Sequence, residues 1–307
     1  MTLIDYLQQA AERLDAAGVS YGHGTANAFD EAAWLVLWRL GLPLDALDEH
    51  EARVISDDEQ ATLDTLIAER ITRRVPAAYL TGEAWLQGVP FHVDERVIIP
   101  RSLIAEVLAE GLIDPWLPAD TTRVLDLCTG NGSLAVLAGM AWPEVAVDAA
   151  DLSADALAVA AKNVARHDLA ARIRLHQGDG LAAVAGTVYD LILCNPPYVN
   201  SDSMAALPAE FRAEPELALA GGADGMDFIR GLLAAAPAQL SPEGVLVLEI
   251  GHERDFFEAA FPTLEVAWLP TQMLDDGVLL VTRDALARLA DTRSTPPTPT
   301  RPQGDAA

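Results

Sequence analysis

The sequence predicts an α/β fold: a mostly parallel sheet with helices on both faces, preceded by a small helical domain. Three observations predict it. Apolar residues recur at helical spacing through residues 1–82. From about residue 102, buried-strand patterns alternate with helical ones, as parallel strands joined by crossover helices require. With 307 residues, 51% of them hydrophobic, the chain can bury a sizeable core, and its length favours two domains over one.

The helical part reads in order. "LIDYLQQAAERLDAAG" places Leu3, Ile4, Leu7, Ala11 and Leu14 on one face, and Gly18 stops it. "NAFDEAAWLVLWRLGL" repeats the theme with Phe29, Ala33, Leu37 and Leu40, and Gly41 ends it. "SDDEQATLDTLIAERITRRVP" opens on a capping signature, Ser56 with Glu59 three residues on. It closes with Arg70, Arg73 and Arg74 at the negative helix end, before Pro76. There is no internal repeat.

At residue 83 the period changes. "EAWLQGVPFHVDERVIIPR" has the residue types of short strands around turns, with Gly88-Val89-Pro90 as a break, so residues 83–101 read as a β-hairpin linker. A helix near 102–113 follows. Then come "RVLDLC" (strand), "SLAVLAGMAW" (helix), "EVAVDAAD" (strand), "ADALAVAAKNVARHD" (helix), "RIRLHQGD" and "YDLILCN" (strands). "GMDFIRGLLAAAPAQL" is a helix, "GVLVLEIG" a strand, "HERDFFEAAF" a helix, and "LEVAWL" and "GVLLVTR" strands. These elements make 102–290 one α/β domain. Residues 291–307, "DTRSTPPTPTRPQGDAA", are rich in Pro and Thr with almost nothing to bury, and read as a disordered tail.

Composition narrows the function. No apolar run reaches the roughly 18 residues of a membrane span. Residues 1–20 carry Asp5, Glu12 and Asp15 and lack a basic start before an apolar block, which argues against a secretory signal. Two cysteines, Cys128 and Cys194, are too few for a disulfide framework, so the expected compartment is the reducing cytoplasm. Twenty basic against 46 acidic residues give a net charge of -26. Such a chain repels nucleic-acid phosphates on average and attracts basic partners.

Ligands of parallel sheets bind at the carboxyl ends of the strands. In "DLCTGNGSLA", Gly130 and Gly132 permit a tight turn and close backbone approach to a ligand, and the next helix offers free N–H groups. Asp151 ends the next strand, where a carboxylate can accept both hydroxyls of a ribose; with Ser153 it is equally placed to cap a helix. Asp179-Gly180 follows "RIRLHQG", where an adenine edge could meet an acceptor; an Asp-Gly turn is an equal alternative. The loop lacks both the three-glycine pyrophosphate fingerprint and the Lys-Ser/Thr of a phosphate loop. An adenosine bearing a sulfonium and an amino acid, S-adenosylmethionine, fits better. No metal is called for.

The fourth strand end is "DLILCNPPYVN". Two consecutive prolines have no N–H to donate and cannot extend a ladder. Beside a sulfonium methyl donor they solve a specific problem. An amide nitrogen is a poor nucleophile because its lone pair is delocalised. The Asn195 side-chain oxygen and the Pro196 carbonyl can accept hydrogen bonds from a substrate NH2, hold it in line and favour the positive charge that develops. Pro196 and Pro197 stiffen the loop, and Tyr198 can pack on a planar target group. Cys194 should face away from the site by strand alternation. His23, in a Gly-flanked loop, suits a turn or a partner contact better than catalysis.

"NPPY" together with "DLCTGNGSLA" resembles the S-adenosylmethionine-dependent methyltransferases that modify planar amide or amine nitrogens. "FHVDERVIIPR" and "EPELALAGGADGMDFIR" are similar to the protein-glutamine N-methyltransferase family, whose members modify peptide-chain release factors or a large-subunit ribosomal protein. "YGHGTANAFDEAAWLVLWRLGLPLD" and "IIPRSLIAE" resemble the branch that acts on ribosomal protein L-three; the release-factor branch has Pro where this chain has Ser102. The match spans roughly residues 20–285. It implies a Rossmann-like seven-stranded sheet whose last strand is antiparallel, with residues 1–82 as a substrate-recognition domain. It implies cofactor roles for Cys128, Thr129, Gly130, Asn131, Gly132, Asp151, Asp179, Gly180 and Asn195, with Cys128 packing and not nucleophilic. It implies target-amide roles for Asn195, Pro196, Pro197 and Tyr198, and wall or positioning roles for Phe91 and Arg101, beside which a core Phe and a surface Arg stand as the alternatives.

The expected partner is a basic ribosomal protein, met free or during ribosome assembly, with no membrane and no direct nucleic-acid substrate. Three rivals stand beside this reading: glutamine methylation of release factors, an adenine amino-methyltransferase acting on nucleic acid, and a non-catalytic ribosome-assembly factor. The adenine reading needs a basic groove and base flipping, and no Lys/Arg-rich insertion occurs near residues 199–225.

Overall fold

The computed structural model describes the backbone of residues 1–294 and the side chains of residues 1–290. The helical region comprises α1 (Leu3–Ala16), α2 (Ala28–Leu40), α3 (Leu47–His50), α4 (Asp57–Arg73) and α5 (Ala77–Thr81). A hairpin follows, β1 (Glu83–Leu86) and β2 (Val89–His92), then α6 (Ile104–Ala109). The α/β part runs β3 (Arg123–Leu127), α7 (Ser133–Ala141), β4 (Ala146–Asp151), α8 (Ala154–Arg166), β5 (Ile173–Gln177), β6 (Tyr189–Cys194) and α9 (Ser201–Ala206). It ends with α10 (Asp227–Ala235), β7 (Leu240–Glu249), α11 (Arg254–Ala260), β8 (Ala267–Trp268), β9 (Val278–Thr282) and α12 (Arg283–Ser294).

Side chains cap the starts of α1, α2, α4, α8 and α9. Thr2 and Asp5 form a capping box on α1, and Ser56 and Glu59 form the expected one on α4. α1 buries Leu3, Leu7 and Leu14 as its spacing predicts, with Tyr6 and Ala10 replacing Ile4 and Ala11 at the centre of the face. α2 departs further: Ala28, Ala32, Leu35 and Val36 join Leu37 in the core, while Phe29, Ala33 and Leu40 are half-buried. The cause is long-range. α2 packs against α1, α4 and α5 together, and Glu31 is drawn inward by Arg70 at 2.6 Å. Arg70 stands in the last turn of α4, as expected, but is fully buried there.

The hairpin turns at Gln87-Gly88, both at positive φ, and not at Gly88-Val89-Pro90. Pro90 lies within β2 opposite Trp85; a two-stranded sheet has free edges where a missing N–H costs nothing.

The main sheet has the order β5-β4-β3-β6-β7-β9-β8. β3, β4, β5, β6 and β7 pair in parallel, and β9 runs antiparallel to both its neighbours. The seven strands and the antiparallel last one match the expectation. Alternation along the central strands feeds two cores. Val124, Leu191, Leu193, Val245 and Val247 pack with α6 and α7, whereas Leu125, Leu127, Ile192, Leu246 and Leu248 pack with α10, α11 and α12. β8 is reduced to two residues of "LEVAWL", and α9 and α12 were not foreseen. α12 continues to Ser294, into the stretch read as a tail; residues 295–307 of that stretch lie outside the described residues. Among the described residues, no helix is long and apolar enough to cross a membrane.

Candidate active site

The sheet reverses its winding between β3 and β6. Leu127 pairs with Cys194, so the loops that follow these strands leave the sheet side by side, at the crevice where α/β sheets hold ligands. A cavity opens there. It is lined by residues 128–131, 150–153, 178–180 and 195–199, by 96–102 between β2 and α6, by Pro215 and residues 217–219, and by Phe228.

One end is built on the β3 loop. Cys128 adopts a left-handed backbone at φ 60, unusual for a residue with a side chain. Thr129 donates its hydroxyl to Asp126, and the Ala135 amide donates to the same Oδ2 at 2.9 Å. Burial pushes the Asp126 carboxyl up to about 7. Its other oxygen has no partner among the described residues, and neither has the Asn131 side-chain nitrogen, although both residues are buried. Gly132 does not line the cavity. It lies beneath the loop, where a Cβ would come within 3.1 Å of Ala160 Cβ in α8. Its expected cofactor contact gives way to helix packing.

Asp151 faces the cavity and serves the helix as well. Oδ2 accepts the Gly130 amide at 2.9 Å and Oδ1 accepts the Ser153 amide at 2.8 Å, while Ser153 caps α8. A carboxylate has about four lone-pair positions, so acceptor capacity remains. Burial raises its pKa. Asp179 and Gly180 line the same end, with Gly180 beside the Phe228 ring.

The other end carries the Asn-Pro-Pro-Tyr loop. The half-buried Asn195 side chain lines the cavity, and no donor or acceptor among the described residues engages its carboxamide or the Pro196 carbonyl. Tyr198 is fixed from behind: its hydroxyl donates to Glu249 at 3.2 Å. Glu249, buried at the end of β7, also accepts the Ser102 hydroxyl and the Leu103 amide. Burial and Glu249 both raise the Tyr198 pKa, so the ring stays a neutral phenol. Gly251 lies directly against it.

Arg101 reaches the cavity wall, where Glu214 holds its two terminal nitrogens at 2.6 and 2.8 Å. Phe91 does not. It is fully buried in the core, its ring 5.4 Å from that of His167, because β2 packs this face against α8. Cys194 faces the core, and His23 is buried against Phe211. Glu214 and Phe228 lie within the "EPELALAGGADGMDFIR" string, but nothing in it assigns them these contacts, and Glu249 stood unmarked at a strand end; each reaches the site from a distant segment. Only the "GMDFIR" string, with its aromatic on the first turn of α10, offered a local signal for Phe228.

Comparison with known proteins adds to this geometry. The family described as methyltransferase small domain matches residues 105–220, and the PrmC N-terminal domain matches residues 5–82. A relative from Bordetella pertussis, named ribosomal protein uL3 glutamine methyltransferase, is 58% identical over 93% of this chain and 96% of its own. Relatives bearing the same name from Burkholderia pseudomallei and Neisseria meningitidis serogroup A are 50% and 48% identical, over 94% and 93% of this chain and 97% and 94% of theirs.

Proposed function

This chain belongs to the ribosomal protein uL3 glutamine methyltransferase family, and from that premise we propose that it moves a methyl group from S-adenosylmethionine to a glutamine side-chain nitrogen of that ribosomal protein. The observation that carries the chemistry is the pair of unengaged acceptors, the Asn195 carboxamide and the Pro196 carbonyl, beside the β3 loop at the switch point of the sheet.

The donor set suits the cofactor. Asp151 and Asp179 line one end of the cavity, and Asp126 is buried just beneath. Carboxylates repel a diphosphate but accept hydroxyls, an adenine amino group or a cationic centre. Asp151 would hold the ribose, Asp179 the adenine edge, and the residue 128–131 loop the amino-acid portion, with Phe228 and Leu152 as apolar walls. When bound, the cofactor supplies an electrophilic methyl on a sulfonium. Asn195 and Pro196 accept the two amide hydrogens of the substrate. That orients the nitrogen and favours the charge that develops as its lone pair localises. Tyr198 gives the amide plane a neutral surface. No general base is required, because the methylated nitrogen, cationic and strongly acidic, gives up its proton to water after transfer. The helical region, 1–82, would grip the substrate protein, and the hairpin linker, 83–101, would join it to the catalytic part.

The test is Asn195→Ala. Removing one preorganised acceptor should lower kcat by about 100- to 1,000-fold, while calorimetry shows that the cofactor still binds. Mass spectrometry of the ribosomal protein should show one added methyl on glutamine with the wild-type chain and almost none with the variant. Methylation of a release factor in preference to the ribosomal protein would overturn the substrate assignment. Full turnover by the variant would overturn the mechanism.

A further inference from the structure

The segment between α9 and α10 carries two fully buried carboxylates that the mechanism does not use. Glu210 accepts the Ser20 amide at 3.2 Å and contacts the guanidinium groups of Arg70 and Arg74 at 3.3 and 3.2 Å, all from the helical region. Four residues on, Glu214 accepts the Ile99 amide at 2.9 Å and both terminal nitrogens of Arg101. Between them, the Phe211 ring lies 4.1 Å from that of the buried His23 and 5.4 Å from the Arg101 guanidinium. Just beyond Glu214, Pro215 and residues 217–219 line the target end of the cavity. One strap is thus fastened at one point to the helical region and at the next to the cavity wall.

Such a strap is expensive to bury. Two carboxylates leave water, and only well-placed donors offset that loss. Glu214 has them. Burial opposes its charge, but His23, with Nε2 at 3.6 Å, and Arg101 hold its carboxyl down at about 2. It is an anion at any working pH. A fixed anion in this place locks a long, flexible side chain, that of Arg101, into one rotamer at the cavity wall.

Resting on the methyl-transfer reading above, we propose that Glu214 is a positioning residue: it sets Arg101 and the Ile99 backbone as the target-side wall, and the Arg70–Glu210 pair ties that wall to the helical region. The helical region then does more than offer a surface to the substrate protein. It holds part of the reaction chamber in shape.

Glu214→Gln keeps the size of the side chain and removes its charge. The KM for the ribosomal protein should rise by about tenfold or more, as expected when a positioning group shifts by a fraction of an ångström, while affinity for S-adenosylmethionine stays unchanged. Because Glu214 acts through Arg101, the double variant Glu214→Gln/Arg101→Met should lose no more than Arg101→Met alone. Losses that add, or a fall in cofactor affinity that parallels the rise in KM, overturn the proposal. Should Glu214→Gln fold poorly, Glu210→Gln slackens the strap from its other end and should raise KM together with hydrogen exchange over residues 211–219; unchanged exchange and KM overturn it. If the wild-type chain leaves the ribosomal protein unmodified, the functional reading falls. Hydrogen exchange at residues 99–101 and 211–219 in Glu214→Gln then still decides the positioning role: faster exchange supports it and unchanged protection refutes it.

Discussion

Gly251→Ala tests whether the position of Tyr198 matters to turnover. Gly251 follows β7 at φ +54, and a Cβ there would lie 2.6 Å from Tyr198 Cε2 and 3.0 Å from Cζ and Oη. Two costs follow. A non-glycine residue in the left-handed region loses about 1–2 kcal/mol. Carbon atoms settle near 3.5–4.0 Å apart, so the ring must withdraw by about 1 Å. The ring cannot tip freely, because its hydroxyl is tied to Glu249 at 3.2 Å. Either that hydrogen bond breaks or the Asn-Pro-Pro-Tyr loop shifts with the ring. A misplacement of this size costs about 100-fold in rate. Single-turnover methyl transfer should therefore slow by about that factor, while thermal denaturation shows a modest loss and cofactor affinity holds. Gly132→Ala is the contrast: it presses on Ala160 under the β3 loop and should weaken cofactor binding first. A Gly251→Ala enzyme with wild-type single-turnover rate would refute the claim that the loop needs its tyrosine held in this place.

Arg70→Met should cost about 3–5 kcal/mol in urea unfolding, because it leaves Glu31 buried without its guanidinium and Glu210 with only that of Arg74; a cost near zero would mean that these carboxylates reach water. Burial raises the Asp126 carboxyl from 3.8 to about 7, so the folded chain keeps a proton there that the unfolded chain releases. The resulting penalty is absent below 3.8, grows as pH rises by up to about 1.4 kcal/mol per unit, and is complete above about 7. Asp126→Asn should flatten the fall of the urea midpoint over that window, and an identical slope in both proteins would rule the assignment out. Methylation of free ribosomal protein should slow as salt rises, because a net charge of -26 favours encounter with a basic partner; a salt-independent rate removes the steering argument and leaves the chemistry intact.

What the sequence disclosed was local. Ser56 and Glu59 announce a helix start because both ends of the capping interaction lie within one turn. The alternation of β3, β4 and β6 is legible because parallel strands bury both faces and read as continuous apolar runs. Asn195, Pro196, Pro197 and Tyr198 could be singled out because a strand that ends in two prolines is poor structure without a use. What stayed hidden depends on distant partners. The buried face of α2 rotates because Arg70, 39 residues away, needs Glu31. Phe91 belongs to the core because of where the hairpin docks, which its own neighbours do not encode. Glu214 and Glu249 read as two acids among many; only the fold brings one to Arg101 and the other to Tyr198 and Ser102.

The buried acids also decide what the net charge is for. Among the described residues, the buried acidic side chains are Glu31, Asp126, Glu210, Glu214, Glu249 and Glu253, each held by a hydrogen-bond donor or a guanidinium. They account for only a small part of the 46 acidic residues. The surplus therefore lies outside the core, where it contributes little to holding the fold and produces a field that reaches about a Debye length into solution. The catalytic contacts run the other way: a neutral carboxamide and a proline carbonyl act at hydrogen-bond range in a cavity wall. Encounter and chemistry are thus carried by different residues at different distances. Salt should change the first without changing the second, so kcat/KM should fall with ionic strength while kcat at saturating substrate holds. A salt-sensitive kcat would mean that the acidic exterior reaches into the reaction itself.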